Sequence, residues 1–150
     1  MPVGSADQGR EPFRSRSHYR HWTKIGTRWH DNDIYGHVNN VVYYAWIDTA
    51  VNGWLIDAGL LCIEQSNPIG LVVETGCRYA VPISFPANVE VGLALAALGS
   101  SSVTYHLGIF VEGSMEAAAQ ARFTHVYVDR DTRRPCSLPE RWRSKLNTLA

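Results

Sequence analysis

Cysteine is scarce in this 150-residue chain. Cys62, Cys77 and Cys136 are an odd number without CxxC spacing, so they read as reduced thiols rather than a disulfide framework or a cysteine-built zinc site. Net charge is lacking as well. Fourteen Lys and Arg balance fourteen Asp and Glu, which argues against nucleic-acid binding through an overall basic charge. No apolar run approaches the ~20 residues of a membrane span. GxGxxG, Walker and GxSxG patterns are missing, so dinucleotides, nucleoside triphosphates and a serine-hydrolase elbow are not indicated. The opening MPVGSADQGREPFRSRSHYR holds no apolar h-region. The expectation is a cytoplasmic protein that contacts neither membrane nor nucleic acid.

What is present suffices for one core: 45% of residues are hydrophobic and 19% charged. Residues 1–17 mix Gly, Ser, Pro, Asp and Arg without periodicity and predict a flexible arm, leaving 18–150 as the single folded domain. A first strand is expected from about Tyr19 through Arg28-Trp29. A long helix follows over Val41–Ala58, capped by Asn39 or Asn40 and stopped by Gly59. That helix is apolar nearly all round, which predicts burial among other elements. The period then changes to two over Ile69–Val81, Val89–Leu98, Val103–Val111 and Met115–Asp129, with hairpin turns at Gly99-Ser100 and Glu112-Gly113-Ser114. A short helix is expected over Pro139–Leu146. The pattern is α+β, an antiparallel sheet curled around a long central helix.

Chemistry concentrates in the loop Trp29-His30-Asp31-Asn32-Asp33-Ile34-Tyr35-Gly36-His37-Val38-Asn39-Asn40. Two carboxylates and two imidazoles precede a helix start, where unpaired amides favour a carbonyl oxygen gaining negative charge. A facing carboxylate can attack that carbonyl or activate water. The competing reading is that Asp31 and Asp33 only cap turns. His30, Asp31, Asp33 and His37 lack a tight metal-ligand motif such as HExxH, so no metal is expected. Glu74 is either a second acid near the site or a solvated strand residue. Asp48, on the buried helix, needs a hydrogen-bond partner. Tyr43, Tyr44, Trp46 and Trp54 pack in the core or line an acyl pocket.

The run Arg28–Asp33, Tyr35-Gly36-His37-Val38-Asn39-Asn40 and Tyr43-Tyr44 resembles the hot-dog-fold acyl-CoA thioesterases of the 4-hydroxybenzoyl-CoA thioesterase type. Downstream, Arg78-Tyr79 with Pro82, and Thr132-Arg133-Arg134-Pro135 with Leu138-Pro139, extend the likeness over about residues 19–146. The resemblance implies that Asp33 is the catalytic acid and that the Asn40 amide polarises the thioester carbonyl. It implies that Gly36 makes the turn between them, that His37 and Asn39 shape the substrate-binding loop, and that Asp31 stabilises it. One departure is Asn88, where many relatives carry Asp.

Arg78, Arg133 and Arg134 are the candidates for coenzyme A phosphates, because guanidinium groups suit bidentate pairing. No cofactor is implied beyond the coenzyme A of the substrate. The partners expected are an acyl-CoA or acyl carrier protein thioester, and a second copy of the chain in a homodimer or homotetramer. The competing function is a non-catalytic acyl-thioester binding or regulatory module on the same scaffold. An enoyl-thioester hydratase fits the loop less well.

Overall fold

A computed structural model describes residues 11–150 of the chain. In order stand β1 (His21–Gly26), α1 (Asn40–Asp57), β2 (Ile69–Tyr79), β3 (Asn88–Leu98), β4 (Ser102–Val111), β5 (Ala119–Val128) and α2 (Glu140–Asn147). Single turns of 3-10 helix occupy Arg16–His18 and Trp29–Asp31. Every strand pairs antiparallel with its neighbours, in the spatial order β1-β3-β4-β5-β2. One face of this sheet packs on α1, which is the hot-dog fold.

The core follows from strand position. Central β4 is covered on both faces, and Val103 through Phe110 are all buried. Its inner residues Val103, Tyr105, Leu107 and Ile109 join Val89, Val91 and Leu93 of β3 and Trp46, Ile47, Ala50, Val51 and Leu55 of α1 in one cluster. Trp142 and Leu146 of α2 close one end of it. Each such side chain contributes ~1.5–3 kcal/mol by leaving water.

The outer face is covered by residues 11–20. The stretch 11–17, expected to be flexible, is instead docked, while residues 1–10 of that arm lie outside the described residues. Arg16 donates through Nε to the Ser114 carbonyl at 2.7 Å and pairs with Glu90 at 3.0 Å, its guanidinium 4.7 Å from the Phe110 ring centre. Tyr19 lies over Gly92 and Gly108, where an added Cβ would come within 2.6 Å and 2.5 Å of its ring. Only glycine leaves room for that ring.

Further boundaries differ from expectation. The first strand ends at Gly26 because the Arg28 amide turns to meet Asp31, leaving Trp29 exposed. Residues 115–118 form the approach to β5 rather than strand, after a turn at Gly113 with φ +83°. A bulge between Leu95 and Ala97 shifts the alternation of β3, so that Leu98 packs on the core and Ala97 faces out. Helix α1 is buried along one side only: Val41, Tyr44 and Ile56 stay exposed. Asp48 lies on that open side, accepting from Asn52 at 3.0 Å.

On the inner face, burial pushes the His125 imidazole down to about 4 from its ordinary 6.5. The unfolded chain therefore takes up this proton first as pH falls. Stability should decline from about pH 6.5 toward pH 4, and His125→Leu should flatten the decline. Denaturant midpoints measured across that window test this, and an unaltered slope would contradict it.

Candidate active site

The loop between β1 and α1 is fixed from both ends. Asp31 is buried, accepting the Arg28 amide at 2.7 Å through Oδ2 and its guanidinium at 3.0 and 2.8 Å through Oδ1. Burial pushes the Asp31 carboxyl up, but the Arg28 bonds outweigh it and hold the group below its ordinary range. Next comes a tight turn. The Asp33 amide donates to the His37 carbonyl at 2.9 Å and the Gly36 amide to the Asp33 carbonyl at 3.1 Å. Gly36 has φ +79°, a left-handed conformation that suits glycine.

This turn is stitched to the segment after β2. Val38 donates to the Ile83 carbonyl at 2.7 Å, Ser84 Oγ to the Gly36 carbonyl at 2.8 Å, and the Phe85 amide to Asn32 Oδ1 at 3.1 Å. The Asn39 amide then donates to the Asp31 carbonyl at 2.9 Å. The entry to α1 is thus anchored by the segment after β2 on one side and by the buried Asp31 on the other.

Asn39 is the cap. Its Oδ1 accepts from the Val41 amide at 3.0 Å and its carbonyl accepts from the Val42 amide at 2.9 Å. The amide of Asn40, first residue of the helix, has no acceptor among the described residues. It sits at the positive end of the peptide dipoles. Asn40 lines a cleft of about 250 Å³ together with His37, Val38, Tyr43 and residues 79–82.

The hydroxyls of Tyr43 and Tyr79, and the thiol of Cys77 near them, keep their protons. Burial pushes the Tyr43 hydroxyl up to about 12 and the Cys77 thiol up to about 11, and raises Tyr79 likewise. Cys77 is therefore no thiolate nucleophile at neutral pH. No negative charge from these groups competes for the helix amide.

The candidate residues divide between several places. Asn40 and His37 share the cleft, with Gly36 and Asn39 shaping its loop. Asp33 stands on the same turn, half-buried but outside the cleft lining, one carboxylate oxygen accepting the Tyr35 amide at 2.8 Å. Arg78 points to the outer face, bonded to the Glu11 carbonyl with its guanidinium 4.8 Å from the Phe13 ring. Glu74 is exposed beside it in a separate hollow. Arg133 and Arg134 are exposed in the loop after β5. That loop lies at the end of the β2–β5 pair where Ile69 meets Val128, remote from Tyr79.

His30, Asp31, Asp33 and His37 form no metal-holding cluster among the described residues. Tyr79 and residues 80–82 were not anticipated as lining. Strand alternation was the available signal, since Tyr79 must face inward if Arg78 faces out.

A five-stranded antiparallel sheet on one long helix, with a cleft at the helix start, is the architecture of the hot-dog thioesterases. A family model described as "Thioesterase-like superfamily" matches residues 27–146, and the chain belongs to that superfamily. Among solved structures it is similar to the PA5185 protein of Pseudomonas aeruginosa, at 52% identity and TM-score 0.88, covering 92% of this chain and 96% of that one. It shares the fold of Slr0204, a 1,4-dihydroxy-2-naphthoyl-CoA thioesterase from Synechocystis, at 18% identity and TM-score 0.77, over 85% and 96% of the two chains. Among curated proteins it is 24% identical over 104 residues to the uncharacterized protein YsmA of Bacillus subtilis, covering 68% of this chain and 70% of that one. Among the described residues no helix is long and apolar enough to cross a membrane.

Proposed function

We propose that the chain hydrolyses acyl thioesters of coenzyme A or acyl carrier protein in the cytoplasm, without a metal or other cofactor. The observation that carries this reading is the Asn40 amide, left without an acceptor at the N-terminus of α1 in a residue that lines the cleft. A thioester oxygen placed there accepts a hydrogen bond that strengthens as the carbon becomes tetrahedral, an effect worth about 3 kcal/mol per donor in comparable sites.

Asp33 supplies the attack in one of two ways. As nucleophile it forms a C–O bond to the carbonyl carbon while the C–S bond breaks and the thiolate leaves, and water then splits the anhydride. As general base it takes a proton from the attacking water instead. Gly36, His37 and Asn39 hold the substrate loop, whereas Arg78, turned to the outer face, and Arg133 and Arg134, at the far end of the sheet, lie away from the cleft within one chain.

One observation favours the alternative, a binding module without turnover: the Asp33 carboxylate is engaged by the Tyr35 amide and lies outside the cleft lining. The two readings separate on whether the wild-type chain releases thiol from any acyl-CoA, and one variant then tests Asp33. Asp33→Asn should lower thiol release from a good acyl-CoA about a hundredfold or more with the fold intact. Wild-type rates in that variant, with circular dichroism unchanged, would remove Asp33 from the mechanism.

The site also calls for a second copy of the chain. A cleft of about 250 Å³ is smaller than the ~300–1,000 Å³ of small-molecule sites. Strand β2 pairs only with β5, and its open edge carries exposed Leu71, Val72 and Val73. The site loop, which leads into α1, exposes Ile34 at 92% and Tyr35 at 80%. Association along β2 and α1 covers these surfaces and completes the cleft with partner residues, as a homodimer or a homotetramer built from it. Light scattering at micromolar concentration should give at least twice the chain mass of 16.8 kDa. A monomer would contradict this assembly.

A further inference from the structure

On the sheet face turned away from α1, residues 11–20 cover part of the area, and strand register shows what lies beside them. Cross-strand pairing sets His106 of β4, Arg122 of β5 and Gly76 of β2 in one row, and Gly108, Gln120 and Arg78 in the next. Residues paired directly across an antiparallel ladder share a face. Tyr19 fills the space above Gly108, whereas no described residue comes within 4 Å of where a Cβ on Gly76 would stand. Gly76 and its neighbours line a hollow of about 480 Å³, within the size range of small-molecule sites. The hollow is separate from the Asn40 cleft, because Arg78 faces it while the next residue, Tyr79, faces the cleft.

The floor is polar where a covered sheet face is ordinarily apolar. Gln120 and His106 are only 5% and 9% exposed, and both line the hollow. Gln120 Oε1 accepts the Arg14 amide at 2.8 Å, and its side-chain amide nitrogen has no acceptor among the described residues. His106 Nδ1 is buried and likewise has no partner among them. Burial and the adjacent His18 push this imidazole down to about 4, so at neutral pH it is uncharged, with one N–H to donate. Buried polar groups left open in this way cost stability unless something meets them. Arg78 is held in place by the Glu11 carbonyl and by the Phe13 ring, 4.8 Å from its guanidinium. Arg122 and Glu74 form no ion pair among the described residues.

We propose that this hollow binds a small 2-hydroxy or 2-amino carboxylate, its acid group between Arg78 and Arg122 and its hydroxyl or ammonium group toward Glu74. The proposal does not depend on the thioesterase reading. Guanidinium N–H groups match the two oxygens of a carboxylate, and the Gln120 amide supplies a further donor. Glu74 lies four residues from Arg78 on the same face, ~13 Å along the strand, so the two side chains border the hollow from opposite ends. A carboxylate at Glu74 accepts from a hydroxyl or ammonium group and repels a second negative charge. Glu11, paired with Arg14, stands at the same hollow. This lining selects a monoanion that carries a donor over a phosphate. Association through the β2 edge would extend the sheet and leave this face open.

The test is calorimetric titration of the whole chain with racemic lactate, propionate and inorganic phosphate, at neutral pH and constant ionic strength. Lactate should bind with a millimolar dissociation constant, as suits so small a ligand, and propionate several-fold more weakly. Arg122→Gln, at an exposed position, should weaken lactate about tenfold or more. Gly76→Leu fills the hollow without removing a charge, and the open space at its Cβ lets the strand keep its fold. It should abolish lactate binding with circular dichroism unchanged. Absence of saturable heat with lactate overturns the proposal, as does propionate binding equally well or phosphate binding more tightly. Lactate binding that survives Arg122→Gln and Gly76→Leu overturns it too, because the ligand would then sit elsewhere on the chain. Thiol release from an acyl-CoA, present or absent, alters none of these outcomes.

Discussion

Capping geometry at the start of α1 is the constraint on which the site depends. A side-chain cap reaches the second or third amide of a helix and leaves the first pointing outward. Asn39 serves Val41 with its side chain and Val42 with its carbonyl, so the leftover donor belongs to Asn40. A buried amide without a partner would cost ~1–3 kcal/mol, but Asn40 is exposed on a cleft and water can meet the donor until substrate arrives. Because the Asn39 amide is held by the Asp31 carbonyl, and the Asp31 carboxylate by Arg28, the position of that donor depends on a buried residue earlier in the same loop.

The same arrangement explains why the protein carries so much uncovered apolar surface. The first turn of the helix lies at the cleft, where its own sheet does not enclose it. The price is an open side, from Val41 to Ile56, beside a β2 edge that has no sixth strand. In the assembly proposed above, a second chain covers this side and brings walls to a cleft that one chain leaves shallow. On the other face of the sheet, residues 11–20 perform that covering role within the chain.

Much of this was legible before any coordinates. Period-two stretches located β2, β3 and β4 to within two residues, and Asn39 and Gly59 marked the ends of α1. What escaped depends on contacts between distant residues. The early end of β1 comes from one backbone bond to Asp31, invisible to periodicity. The docking of 11–17 rests on single anchors, Arg16 and Tyr19, meeting gaps left by Gly92 and Gly108, with no repeating pattern to announce it. The loop motif named Asn40 and Gly36, which lie at the cleft and in the turn, whereas the guanidiniums scatter: Arg78 outward, Arg133 and Arg134 to the far end of the sheet. Charge type alone does not encode where a side chain points.

The Asn40 amide can be removed without unwinding the helix. Asn40 occupies the first helical position, where proline is well tolerated, and Asn39 before it is already extended with φ −59° and ψ 138°, as a residue preceding proline must be. Asn40→Pro deletes the N–H, while Asn40→Ala keeps it and deletes only the side chain. If that donor carries the chemistry, kcat for a good acyl-CoA falls about 10²–10³-fold in the proline variant and stays near wild type in the alanine variant. A folded proline variant with undiminished kcat would contradict the account.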